Sequence, residues 1–119
     1  MSEIKQLTEK IKKFQDERDW RQFHNHKDVA LSLVLEAAEV LEHFQWKSPK
    51  EVEDHGKACK DELSDELADV AMYLFELADN LGIDLPQAIE AKIKKNAEKY
   101  PVEKAKGKHT KYDKLRRIN

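Results

Sequence analysis

VALSLVLEAAEVLEHF, residues 29–44, carries apolar side chains on nearly every side of a helical wheel. Val29, Leu31, Leu33, Val34, Leu35, Ala37, Ala38, Val40, Leu41 and Phe44 leave little room for a solvated face. A helix that is apolar all round reads as a central, buried one, here running from Lys27 to about Phe44. Yet Glu36, Glu39 and Glu42 sit inside it. The same contradiction recurs in DELSDELADVAMYLF, residues 61–75, where Glu62, Glu66 and Asp69 interrupt Leu63, Leu67, Val70, Ala71, Leu74 and Phe75.

The flanking sequence frames these two helices. Ile4, Leu7, Ile11 and Phe14 recur at spacings of three and four, which marks an amphipathic first helix opening after Ser2. The stretch from Asp19 to His26 lacks clear periodicity and reads as a connection. Ser48-Pro49 is a helix start, with serine as cap and proline in the first turn, and the polar run KEVEDHGKACK leads into the second acidic helix. Gly82 fits as its stop. Asp84-Leu85-Pro86 opens a last helix that ends near Lys99, before Tyr100-Pro101. The lysine-rich stretch beyond Pro101 reads as a tail that is extended or mobile unless a ligand or partner orders it. The expectation is an all-α chain: a bundle of four main helices over residues 1–101, with a basic C-terminal tail over 102–119.

Composition narrows the function classes. Of the 119 residues 39% are hydrophobic and 39% charged, with only three glycines and three prolines, the profile of a helical globular domain. A net charge of −2 gives no general attraction to nucleic acid or to a membrane surface. The single Cys59 excludes an internal disulfide framework and a cysteine zinc cage. No apolar run approaches the ~18 residues of a membrane span, and MSEIKQLTEK lacks a signal-peptide core. A cytoplasmic location is therefore expected.

The acids carry the chemistry. Glu36 and Glu39 are three residues apart and so share a helix face, as do Glu66 and Asp69. Carboxylates in an apolar setting need cations, yet neither Val29–Phe44 nor Asp61–Leu81 contains a Lys or Arg. Cations could come from elsewhere in the fold, or a bound divalent ion could take their place. Oxygen-only donors suit a hard ion such as Mg²⁺, with Mn²⁺ as a substitute.

EAAE followed by ELAD resembles the ExxE…ExxD signature of the MazG-like all-α nucleotide pyrophosphohydrolases. RDWRQFH, LEAAEVLEHFQWK, DELADVAMYL, IDLPQAIEAKIKKNAEKYP and KGKHTKY resemble, in order, segments of the dCTP-pyrophosphatase-like branch. The likeness spans the chain from Asp19 onward. It implies hydrolysis of a nucleoside triphosphate, a dNTP such as dCTP or a modified form, to the monophosphate and pyrophosphate. It implies Glu36, Glu39, Glu66 and Asp69 as Mg²⁺ ligands, with Glu39 our choice as general base. It also implies Trp20, His24, Trp46, Tyr73, Lys92 and Asn96 as nucleotide contacts, Trp46 stacking on the base, and assembly as a homodimer or homotetramer (a dimer of dimers). One departure is FHNHKD, where His26 stands at a position the family often fills with proline. Two other readings stay open: a metal-dependent hydrolase of another phosphate ester, and a non-catalytic helical interaction module whose acids are neutralised across an interface by lysines.

Overall fold

The computed structural model describes residues 2–115; Arg116 to Asn119, the end of the expected tail, lie outside the described residues. Those residues are helical with no strand, so the all-α expectation holds. The chain divides into two compact units, Met1–Ile83 and Asp84–Asn119, each taken by itself below.

The first unit holds α1 (Glu3–Asp16), α2 (His26–Glu42), α3 (Pro49–Ala58) and α4 (Lys60–Asn80). Their starts are set locally. Ser2 accepts the Lys5 backbone N–H at 3.1 Å, and Asn25 accepts that of Asp28 at 2.9 Å, each relieving an orphan donor of the first turn. Ser48 and Glu51 form a reciprocal capping box, with Pro49 in the first turn. The helix start read at Ser48-Pro49 thus opens α3, which takes in most of the polar run KEVEDHGKACK. Between α1 and α2 the chain turns sharply. Asp19 adopts a left-handed φ of 56°, a short 3₁₀ turn covers Arg21–Phe23, and the Arg18 guanidinium lies 3.8 Å from the centroid of the Phe14 ring. Gly82, at φ 69°, takes the chain out of α4 in the conformation glycine adopts without strain.

The hub of this unit is α4, not α2: α1, α2 and α3 all pack against α4. The buried, central position expected for α2 is corrected accordingly. Only Val29 of α2 is buried, at 2% exposure, while Leu31, Val34, Leu35 and Leu41 are exposed. An all-round apolar wheel has one side on α4 and other sides that no helix of its own unit covers. The α1 face also differs from expectation. Thr8, Ile11 and Gln15 are buried, whereas Leu7 and Phe14 are each 42% exposed. Leu7 and Phe14 instead border an apolar groove of about 370 Å³ with Met72 and Phe75 of α4. The helix turns its polar Gln15 inward because a partner waits there, Glu76 of α4.

The second unit contains α5 (Leu85–Lys99) and two four-residue helices, α6 (Val102–Ala105) and α7 (Tyr112–Leu115). Asp84 caps α5 by accepting the Gln87 N–H at 3.0 Å. The α6 and α7 turns stand where the sequence suggests extended chain. Among the described residues no helix is long and apolar enough to cross a membrane.

Candidate active site

α2 and α4 run against each other, and their acids meet. The Glu36 carboxyl titrates above the ordinary carboxylate range: burial is the largest cause, followed by a hydrogen bond and like charge from Glu39, then by the charges of Asp69 and Glu66. The other three carboxylates of the ExxE and ExxD pairs therefore all act on Glu36. The four are not in the core, as a buried stripe would require. Glu36 and Glu66 are half-buried, while Glu39 and Asp69 are exposed.

Two of their oxygens are enclosed without a hydrogen-bond partner, Glu36 Oε2 and Glu66 Oε2. His43 Nε2 approaches Glu66 Oε2 to 2.6 Å, but the contact lacks the alignment of a hydrogen bond, so that oxygen's accepting capacity is still unspent. Behind His43 a chain of polar contacts continues to His55, at 2.7 Å, and from His55 to Cys59 at 3.7 Å. No Lys or Arg of α1–α4 pairs with the four acids; Lys12 pairs instead with Glu9 and Asp79.

Among the described residues no three His, Cys, Asp or Glu side chains are grouped closely enough to hold a metal ion as they stand. The donor chemistry nevertheless fits a hard divalent ion. It is all carboxylate, it is electrostatically unbalanced, and it offers enclosed oxygens with no donor. Mg²⁺ retains several waters and needs only one or two direct carboxylates, so an open cluster suits it better than a cage. We find no such fit for a soft metal at His43, His55 and Cys59, whose contacts use different nitrogens of each ring.

The nucleotide contacts that the resemblance implies are distributed as follows. Tyr73 lies beside the cluster, one turn beyond Asp69. Its hydroxyl titrates above the usual tyrosine value, through burial first and then the charges of Glu36, Asp69 and Glu76, partly offset by a hydrogen bond with Ser32. Trp46 is 92% exposed and held at φ 66°, a left-handed conformation that is strained for a bulky residue. Trp20 is 45% exposed and packs edge-on against Phe14. His24 is drawn toward α4, its Nδ1 at 2.6 Å from Glu76 Oε2. Lys92 and Asn96 are exposed on α5, in the second unit, where the Asn96 carbonyl accepts the Tyr100 N–H at 2.8 Å. Tyr73 is brought to the carboxylates of the first unit, while Lys92 and Asn96 belong to the other.

The sequence reading missed Glu76. The signal was present: Glu62, Glu66, Asp69, Tyr73 and Glu76 alternate spacings of four and three, a single polar stripe along α4. It was masked by the apolar LFEL setting.

A helical hub presenting ExxE and ExxD carboxylates to each other defines a class, and comparison with known proteins specifies it. Residues 31–115 match the MazG-like family. The chain is 42% identical over 106 residues to dCTP pyrophosphatase 1 of Mus musculus, an alignment covering 87% of this chain and 62% of that protein. It is 39% identical over 104 residues to dCTP pyrophosphatase 1 of Homo sapiens, covering 86% and 61% respectively. Its structure is similar to that of a pyrophosphatase from Archaeoglobus fulgidus, with a TM-score of 0.80 at 36% identity, covering 85% of this chain and 94% of the other. The chain belongs to the MazG-like family. It spans about 62% of the length of the mouse relative it matches.

Proposed function

We propose that this protein hydrolyses nucleoside triphosphates between the α and β phosphates, releasing a monophosphate and pyrophosphate. dNTPs such as dCTP or a modified form are the substrate class. The observation that carries the reading is the carboxylate cluster: four acids on α2 and α4, two with enclosed oxygens that make no hydrogen bond, and, among the described residues of their unit, no Lys or Arg paired with them. The names of the mouse and human relatives favour the same substrate.

In this reading Glu36, Glu39, Glu66 and Asp69 hold Mg²⁺, with Mn²⁺ as a substitute. When bound, the ion offsets the negative charge of a triphosphate and of the pyrophosphate leaving group. The chain's own residues do the rest. Glu39, exposed beside Glu36, accepts the proton of the attacking water as general base. Tyr73, its proton retained by burial and neighbouring acids, donates a hydrogen bond from the face adjoining the cluster. Trp46 offers an exposed indole on which a base stacks, with Trp20 and His24 completing the base and sugar contacts. For Lys92 and Asn96, on α5 of the second unit, the family resemblance gives the roles of a cation and a hydrogen-bonding amide for phosphate. The exposed Leu31, Val34, Leu35 and Leu41 suit a homodimer or homotetramer in which copies cover them. A cytoplasmic location agrees with the chemistry of a nucleotide pool.

Incubation with dCTP and Mg²⁺ followed by product separation tests the reading. dCMP plus pyrophosphate is the expected result. dCDP plus orthophosphate would replace it with another phosphate hydrolase. No turnover of any nucleotide, with a melting temperature indifferent to Mg²⁺, would leave a helical interaction module.

A further inference from the structure

Glu76 is the one acidic side chain fully buried among the described residues, at 2% exposure. Each of its oxygens meets one polar side chain. Gln15 Nε2 donates to Oε1 at 3.0 Å, and His24 Nδ1 lies 2.6 Å from Oε2. The three residues come from α4, from α1 and from the loop after the 3₁₀ turn, so the acid ties three separate stretches to one point. None of the roles assigned above requires it.

Burying a carboxylate is costly, and an apolar residue of similar volume often packs as well. What a carboxylate does here that leucine cannot is fix the hydrogen on an imidazole. Against an acceptor-only carboxylate His24 Nδ1 must carry the hydrogen, and in the neutral ring Nε2 on the other side then keeps its lone pair. Gln15 agrees with this assignment. It turns its NH₂ rather than its carbonyl to Glu76 and leaves its own Oε1 enclosed without a partner, which is the orientation an acceptor-only neighbour imposes. The location also matters. Tyr73 senses the charges of Glu36, Asp69 and Glu76 together, so this clamp and the carboxylate cluster border the same tyrosine.

We propose that Glu76 is a positioning residue: with Gln15 it locks the ring plane of His24 and its Nδ1–H tautomer, presenting Nε2 as a fixed acceptor to an N–H or O–H donor on the base or sugar of the bound nucleotide. The inference rests on the reading of His24 as a nucleotide contact. Its consequence is a preference for ligands that bring a donor to Nε2, set by a residue that does not touch the nucleotide.

Nitrogen-15 spectra of histidine-labelled wild-type protein, with the rings neutral, test the tautomer directly and need no substitution. His24 should show a protonated Nδ1 and an unprotonated Nε2, and saturating dCMP should move the Nε2 resonance. In Glu76→Leu the His24 signal should shift toward the Nε2–H form. KM for dCTP should rise about tenfold, the loss of one well-made hydrogen bond, with kcat little changed. In a His24→Ala background the same Glu76→Leu change should leave KM unaltered. A resident Nε2–H tautomer in the wild type would overturn the proposal. So would an Nε2 resonance indifferent to dCMP in an active enzyme, or an equal KM rise in the His24→Ala background, which would mark Glu76 as merely structural. If dCTP is not hydrolysed but the Nδ1–H tautomer is present and responds to dCMP, the clamp stands and the hydrolase reading falls.

Discussion

At one end of α4, Glu76 is 2% exposed and both its oxygens are met by protein side chains, Gln15 and His24. Two to three turns earlier on the same stripe, Asp69 and Glu66 face Glu36 and Glu39 of α2, with like charges for neighbours and enclosed oxygens left without a hydrogen bond. Residue type does not separate these places, nor does burial, which is deeper at the satisfied site. The difference lies in whether the fold supplies the donors. Where it does, the acid is part of the architecture; where it does not, the function proposed above has the missing partner come from outside the chain. A protein that can place Gln15 and His24 around one carboxylate has the means to neutralise others, so the unbalanced cluster reads as reserved for a ligand.

The contrast can be broken most sharply through activity. Asp69→Asn should lower pyrophosphate release from dCTP by more than about 100-fold, beyond the effect usual for outer-shell partners of a metal, while circular dichroism shows the helices intact. Retained turnover would remove Asp69 from the metal site. Stability should respond in the opposite sense at the two stations. Glu76→Leu leaves the Gln15 amide and His24 ring without an acceptor and should cost about 1–3 kcal/mol in urea unfolding. Mg²⁺ should stabilise the wild type by about 2.7 kcal/mol at a hundredfold excess over its Kd, and the gain should largely vanish in Asp69→Asn.

The smallest effect belongs to Glu36. Its carboxyl titrates higher in the folded chain than in the unfolded one, so the folded state holds that proton more tightly. The resulting stability is complete below the unfolded carboxylate range and is lost as pH rises through the folded value. Without metal the protein should therefore become more stable on acidification from neutrality toward that value. Glu36→Gln should flatten this slope and raise the metal-free Tm by about 2–4 °C. A thermal melt series across pH, with and without Mg²⁺, checks both; destabilisation by Glu36→Gln would make the cluster resemble the Glu76 site and dissolve the comparison.

Much of this was legible because it is local. Ser2, Ser48-Pro49 and Asp84 announce helix starts through bonds that span only three residues, and Gly82 closes α4 for a reason intrinsic to glycine. The pairing of ExxE with ExxD was also readable, since spacing puts both on faces that any α2–α4 contact can join. Burial was harder. The wheel of α2 shows that it wants covering on every side but not what covers it, and within its own unit only one side meets α4. The face of α1 was misassigned for a related reason. An apolar count favours Leu7 and Phe14, whereas Gln15 is drawn inward by an acid 61 residues away. That pairing is invisible to any window of sequence.

Trp46 has a practical consequence. The chain contains only two tryptophans, and this one is 92% exposed in the folded state. Its emission should already resemble that of indole in water, so it should change little when the protein unfolds and substantially when a base covers it. Intrinsic fluorescence would then follow nucleotide occupancy more faithfully than folding, with Trp20, half as exposed and packed against Phe14, as the folding-sensitive contribution.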